Sequence, residues 1–319
     1  MEEVFILGAA RTPLGKLSGS LSSIPAPILG AIAIKGALEK AGLKPEQVDY
    51  TVMGNVLQAG VGQAPARQAA INAGIPVSAS AMTVNKVCAS GLTASVLGAG
   101  MIQLGDARVV VAGGMESMSL APHLLNGSRN GIRLGNWEMA DSMVQDGLWC
   151  TLVGQDMASA AESIGESHGI TREQQDAFAL RSHQRAVAAK MDGSFRNEIV
   201  PVMVETRHNS TVVENDEGPR EETSLEALGN LTPAFSQGKS VTAGNASQIS
   251  DGAAAVILAG KSTVARLELD PIARISGYAH AGVEPARLFE GPVAATQALE
   301  EKTGFKLADF DLLETNEAF

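Results

Sequence analysis

Over its first 118 residues the chain alternates short apolar, β-branched runs with apolar helical patterns. This alternation constrains the fold more than any other feature. Val4 to Leu7, Tyr50 to Met53, Met82 to Val87 and Val109 to Ala112 read as buried strands. Between them Ala26 to Ala41, Gln63 to Ala73 and Leu92 to Leu104 read as helices; the first stops at Gly42 with Pro45 beyond it, and the second at Gly74. Strand–helix–strand alternation predicts a mostly parallel sheet with helices on both faces, an α/β fold. Leu92 to Leu104 is apolar or small on every face, which predicts a central, buried helix. With 34 glycines and only 4% aromatic residues, the core must rely on Ala, Val, Ile, Leu and Met, with close backbone approaches at glycine.

The strand Met82 to Val87 runs straight into Cys88, and Ala89-Ser90-Gly91 opens the next helix. A cysteine at such a corner faces the unpaired N–H groups and positive dipole end of a helix N-terminus, which favours the thiolate. A sharp strand-to-helix turn also exposes the sulfur, as a nucleophile elbow exposes a serine. The bland alternative is that a lone cysteine in an apolar segment is a small buried hydrophobe. Cys88 is therefore a candidate nucleophile whose weight depends on the rest of the chain.

Beyond Ser119 the pattern changes. To about Ile249 strand signals are few and polar turns many, with helices at Gln155 to His168 and Arg172 to Met191, the second opened by a Thr171/Gln174 capping box. The run Glu214 to Glu226, with Arg220 as its basic exception and Arg207 shortly before it, reads as a solvated acidic loop. Strands return at Ala253 to Leu258 and Pro271 to Ala279, a helix follows at Ala294 to Thr303, and Asp311 to Glu314 is strand-like.

Five segments share one further property. They are Asn85-Lys86-Val87-Cys88-Ala89-Ser90-Gly91, Gly113-Gly114-Met115-Glu116-Ser117-Met118-Ser119, Asp216-Glu217-Gly218-Pro219-Arg220, Thr242-Ala243-Gly244-Asn245-Ala246-Ser247 and Asn316-Glu317-Ala318-Phe319. In this order and spacing the chain resembles the thiolases over its whole length, above all acetyl-CoA acetyltransferases and 3-ketoacyl-CoA thiolases. The resemblance implies a layered αβαβα fold with an inserted loop domain. It divides the chain into an N-terminal α/β half at 1–118, a loop domain at 119–249, a return strand at 250–270 and the start of a second α/β half at 271–319. It also implies Claisen condensation and thiolysis of acetoacetyl-CoA or a 3-ketoacyl-CoA through an acyl thioester on Cys88. Asn316 then fixes a water beside a reacting oxygen. Arg220, Ala243, Gly244, Ser247, Leu148, Met157 and Phe319 contact CoA, which is a substrate rather than a tightly bound cofactor. For Gly244 and Ser247 the plain alternative is a tight turn, and for Leu148 and Met157 it is ordinary core. Asp156 stands where many relatives carry histidine, and Leu288-Phe289-Glu290-Gly291-Pro292 departs from the family's Met-Gly-x-Gly-Pro.

Family members also carry a Gly-His-Pro and a Cys-x-Gly-Gly-Gly motif, and neither occurs in this sequence. His123, His168, His183, His208 and His280 are each followed by a residue other than proline, and Cys150 by no glycine run. The expectation is an incomplete second half with uncovered apolar faces, and a separate C-terminal chain supplying the histidine base and second cysteine. The alternatives are another condensing enzyme of this fold, or an acyl-CoA-binding subunit without full catalysis. His168, His183 and His208 are expected to be exposed, and His123 to lie where relatives make oligomer contacts; a homo- or hetero-oligomer, dimer or tetramer, is implied.

The net charge of −11 argues against nucleic acid as a partner and requires a phosphorylated ligand to be held locally. Two distant cysteines give no disulfide framework, and no His/Cys/Asp spacing suggests a metal site. With no targeting pattern at Met1-Glu2-Glu3-Val4 and no long uninterrupted apolar run, a cytoplasmic location and no membrane span are expected, although a processed matrix protein would look the same.

Overall fold

A computed structural model describes residues 2–131, 133–205, 209–234 and 238–319; Arg207 and His208 lie outside the described residues. The strands are β1 (Val4–Arg11), β2 (Tyr50–Gly54), β3 (Ser80–Val84), β4 (Val109–Ser117), β5 (Val202–Glu205), β6 (Ser210–Val213), β7 (Ser250–Gly260) and β8 (Ala273–Ile275). The helices are α1 (Ala26–Lys40), α2 (Pro65–Asn72), α3 (Ser90–Leu104), α4 (Met157–Ser167), α5 (Arg172–Asp192), α6 (Leu225–Gly229), α7 (Lys261–Arg266) and α8 (Gly291–Thr303). Short two-residue ribbons, 3-10 turns and a π-helical turn at Met143–Leu148 lie between them.

The main sheet runs β8-β1-β7-β4-β2-β3, with Gly15–Lys16 pairing the start of β7. Side chains of β4 alternate between its two faces: Val109 and Val111 join the cluster built with α1 and α2, and Val110 and Ala112 the one built with α3. Helices therefore cover both faces, as the α/β pattern predicts. The sheet itself is mixed rather than mostly parallel. Helical crossovers make β2 parallel to β3 and β4, but β7 is antiparallel to both β1 and β4, and β8 antiparallel to β1. Local periodicity does not register the direction in which a strand returns after a long excursion.

Helix α3 also differs from expectation. Ala94, Gly98, Ala99 and Ile102 are buried on the sheet, whereas Leu92 is 73% and Leu104 80% exposed. Among the described residues its main packing is against the strands of the sheet, with apolar side chains also exposed on its other side. By length and composition Val87–Leu104, 18 residues of mean hydropathy 1.5, is the one described helix able to cross a membrane, contrary to the expectation that no stretch qualified. In the fold it packs on β2, β4 and β7.

The chain forms two compact units. The first comprises Met1–Gly147, Phe195–Gly218 and Ile249–Ile275, and the second Leu148–Ser194, Pro219–Gln248 and Ser276–Phe319. The segment expected as one insertion, 119–249, is thus shared between them, and 276–319 groups with parts of that segment. In the second unit α8 contributes no buried residue, and Leu312 is 90% exposed. The strand expected at Pro271 to Ala279 is confined to β8, and Asp311 to Glu314 is irregular, with no strand partner among the described residues.

Candidate active site

β3 ends at Val84 and α3 begins at Ser90, so five residues turn the chain. Cys88 lies on that turn as an exposed free thiol. Val87 takes φ of 49°, a left-handed conformation rare for a β-branched residue. Asn85 Oδ1 accepts from the Val87 N–H at 3.0 Å. Ser90 Oγ accepts from the Lys86 N–H at 2.8 Å and donates to the Val87 carbonyl at 2.6 Å. The corner fits closely on the sheet because Gly54 has no side chain: a Cβ there would lie 2.6 Å from the Ser90 Cβ. The sequence located Cys88, but the tie made by Ser90 was missed, because a serine at a helix start looks like an ordinary cap.

The Gly113 to Ser119 segment holds the neighbouring chain. Glu116 accepts from Asn55 Nδ2 at 2.7 Å and from the N–H groups of Val56 and Leu57 at 2.8 and 3.1 Å. Burial pushes its carboxyl above the ordinary range, against the pull of these bonds. Ser119 donates to the buried Asp251 through its N–H and hydroxyl at 2.9 and 2.6 Å, joining the end of this segment to β7.

The CoA candidates all belong to the second unit and Cys88 to the first. The Thr242 to Ser247 loop is tied at both ends. On α4, Glu162 Oε1 accepts from the N–H groups of Lys239, Ser240 and Val241 at 2.8, 2.7 and 2.9 Å. Partial burial opposes its charge, yet these bonds hold the carboxyl below its usual range. Asn245 Oδ1 accepts from the Thr242 N–H, and Asn245 Nδ2 donates to Asp176 at 2.9 Å. Asp176 pairs with Arg172, which also donates to the carbonyls of Leu228 and Leu231. Gly244 is buried, and a Cβ would lie 2.5 Å from Leu228 and 2.6 Å from Leu231. A side chain at Gly244 would have to displace these two leucine methyls, whereas Ala243 and Ser247 are exposed. None of these ties was read from the sequence, because each joins residues far apart along the chain.

Ser247 donates its N–H to the Ala318 carbonyl at 3.1 Å, which brings it beside Phe319. Glu317 accepts from the Ser182 hydroxyl, and Phe319 meets Phe289 edge-on with centroids 5.4 Å apart. Asn316 is exposed. Arg220 is exposed and held elsewhere, its N–H donating to His183 Nδ1 at 3.2 Å. Burial, then the Arg220 charge, lowers the His183 pKa. Leu148 and Met157 are half-buried. Asp156 caps α4, accepting from the Ser159 N–H at 2.9 Å and its hydroxyl at 2.7 Å. Partial burial opposes the charge of Asp156, but these bonds lower its pKa.

Two further expectations change. His183 is half-buried rather than exposed, and exposed His168 pairs with Glu290 at 3.1 Å. The acidic run is not simply solvated at its start. Asp216 takes a two-pronged bond from Arg11 at 2.7 and 2.9 Å, and Glu217 accepts from the Lys16 N–H at 2.9 Å. Among the described residues no cluster of three or more His, Cys, Asp or Glu could hold a metal ion.

Residues 4–262 match the family model "Thiolase, N-terminal domain" and residues 269–319 "Thiolase, C-terminal domain". The acetyl-CoA acetyltransferase of Pseudomonas aeruginosa is 51% identical over 320 residues, covering 100% of this chain and 81% of that protein. Its counterpart from Cupriavidus necator is 49% identical with the same coverage. The solved acetyl-CoA acetyltransferase from Syntrophomonas wolfei superposes with a TM-score of 0.97 at 40% identity, covering 100% of this chain and 80% of that one. The chain belongs to the thiolase family. Both family models match, and these findings give no support to an incomplete second half or to a required separate chain.

Proposed function

We propose that this chain is an acyl-CoA:acetyl-CoA C-acyltransferase, making and breaking a 3-ketoacyl-CoA through a thioester on Cys88. The observation that carries this reading is the exposed thiol on a strained strand-to-helix corner in a thiolase-family chain. In thiolysis the Cys88 thiolate attacks the 3-carbonyl carbon, the C2–C3 bond breaks, and acetyl-CoA leaves as its enolate and takes up a proton. The thiolate of a second CoA then attacks the thioester carbonyl and carries the acyl group away. Condensation runs the same steps in reverse. Oxygens that gain charge need fixed donors; the Cys88 N–H and a water held by Asn316 fill that role. Arg220 takes the nucleotide end of CoA, and Ala243, Gly244 and Ser247 the pantetheine, with Leu148, Met157 and Phe319 beside it. The relatives' names favour acetyl-CoA and acetoacetyl-CoA as substrates.

The test is brief exposure to acetyl-CoA followed by peptide mass spectrometry, with acetoacetyl-CoA cleavage measured on the same preparation. Cys88 should carry the acetyl group, and Cys88→Ala should abolish both signals. Acylation at Cys150 instead, or cleavage surviving in Cys88→Ala, overturns the assignment.

A further inference from the structure

We propose that Ser90 is a positioning residue for Cys88: its buried hydroxyl locks the corner in the left-handed turn that presents the sulfur. The inference rests on the reading of Cys88 as nucleophile. Ser90 is 4% exposed and is the first residue of α3. A capping serine accepts from N–H groups further into its helix. The N-cap position of α3 is instead Ala89, which makes no side-chain cap. The Ser90 hydroxyl points backwards, accepting from Lys86 N–H at 2.8 Å and donating to Val87 carbonyl at 2.6 Å. Both bonds go to peptide groups preceding Cys88. They bracket Val87, the residue whose φ of 49° costs most at this corner. Ser90 packs where β2 carries no side chain, since a Cβ on Gly54 would lie 2.6 Å from the Ser90 Cβ. Asn85 Oδ1, which accepts from the Val87 N–H at 3.0 Å, is a further tie on the same turn. The hydroxyl thus offsets the strain of a β-branched residue in a conformation that glycine adopts freely.

That relation supplies the test. Ser90→Ala, Val87→Gly and the double variant are compared for the rate of Cys88 alkylation by iodoacetamide across pH, and for kcat and KM with acetoacetyl-CoA. Ser90→Ala should slow alkylation and kcat about tenfold, the effect of releasing strain of this kind, with KM little changed. Val87→Gly in the Ser90→Ala background should recover most of the loss, because the turn then needs no tie. Circular dichroism reports folding, and if Ser90→Ala folds poorly, Asn85→Ala probes the same turn from the strand side with the same rescue by Val87→Gly. A Ser90→Ala chain alkylated at the unmodified rate overturns the proposal, as does failure of Val87→Gly to rescue a folded double variant. Cys88→Ala separates the two layers. If it keeps cleaving, the nucleophile reading falls and this one with it; if it is inactive while Ser90→Ala is unimpaired, only the role of Ser90 falls.

Discussion

Glu116 and Glu162 each accept three N–H hydrogen bonds, yet their carboxyls shift in opposite directions. Glu116 lies between Met115 and Ser117, which are 3% and 6% exposed, and there the cost of burying charge exceeds the gain from the bonds. At Glu162 the bonds win. The signs of the resulting pH dependence therefore differ. The contribution of Glu116 is full below the ordinary carboxyl pKa and is lost as pH rises through its raised value. That of Glu162 is present above the ordinary value and is lost as pH falls through its lowered one. The stability gap between the unmodified chain and Glu116→Gln should shrink as pH rises from mildly acid to neutral, while the gap for Glu162→Gln should grow from pH 3 to 6. Thermal melts across that range decide it; parallel trends in the two variants would contradict the account. Of the residues at the site, Cys88 was legible because strand, turn and helix signals converge on it. Glu162 was not, since its three partners lie almost eighty positions away and nothing local marks the pairing.

Helix boundaries were legible where capping is local. The Thr171/Gln174 box opens α5 at Arg172, as the sequence predicts, and α1 ends at Lys40, one residue before the expected limit. Strand direction and helix surroundings were not legible, because they depend on which distant element arrives alongside. The half-open helix α3 and the antiparallel β7 are both of this kind. Asp156 has a local role in the fold: it caps α4 through two bonds to Ser159. Asp156→Ala should destabilise the second unit by about 1 kcal/mol, as loss of a cap does, and Asp156→Ser should recover most of it. Denaturant melts of the three chains would test this, and equal loss in both variants would show that capping is not what the residue supplies.

The first unit is assembled from three separate stretches of chain, and Arg11 joins two of them. Its guanidinium bonds Asp216 and Glu198 and lies over the Phe195 ring, 5.2 Å from the centroid, while β1 carries it into the main sheet. Burial works against its charge, but Asp216 and then Glu198 keep it protonated more firmly than usual. The Arg11 and Asp216 side chains are only 17% and 12% exposed, so removing one strands the other. Arg11→Ala should cost about 3 kcal/mol, read as a lower denaturant midpoint with an unchanged slope; a loss within the range of a surface substitution would mean the segment 195–218 is held by other contacts. The order of the sheet has a consequence for biosynthesis. β7, residues 250–260, sits between β1 and β4 and bonds both. On a ribosome adding roughly 5 to 20 residues per second, β1 and β4 wait on the order of ten seconds for the strand that unites them. During that interval β4 offers an unpaired sheet edge and β1 has no strand partner at all, which makes the time between codons 117 and 260 the period when chaperone cover matters most.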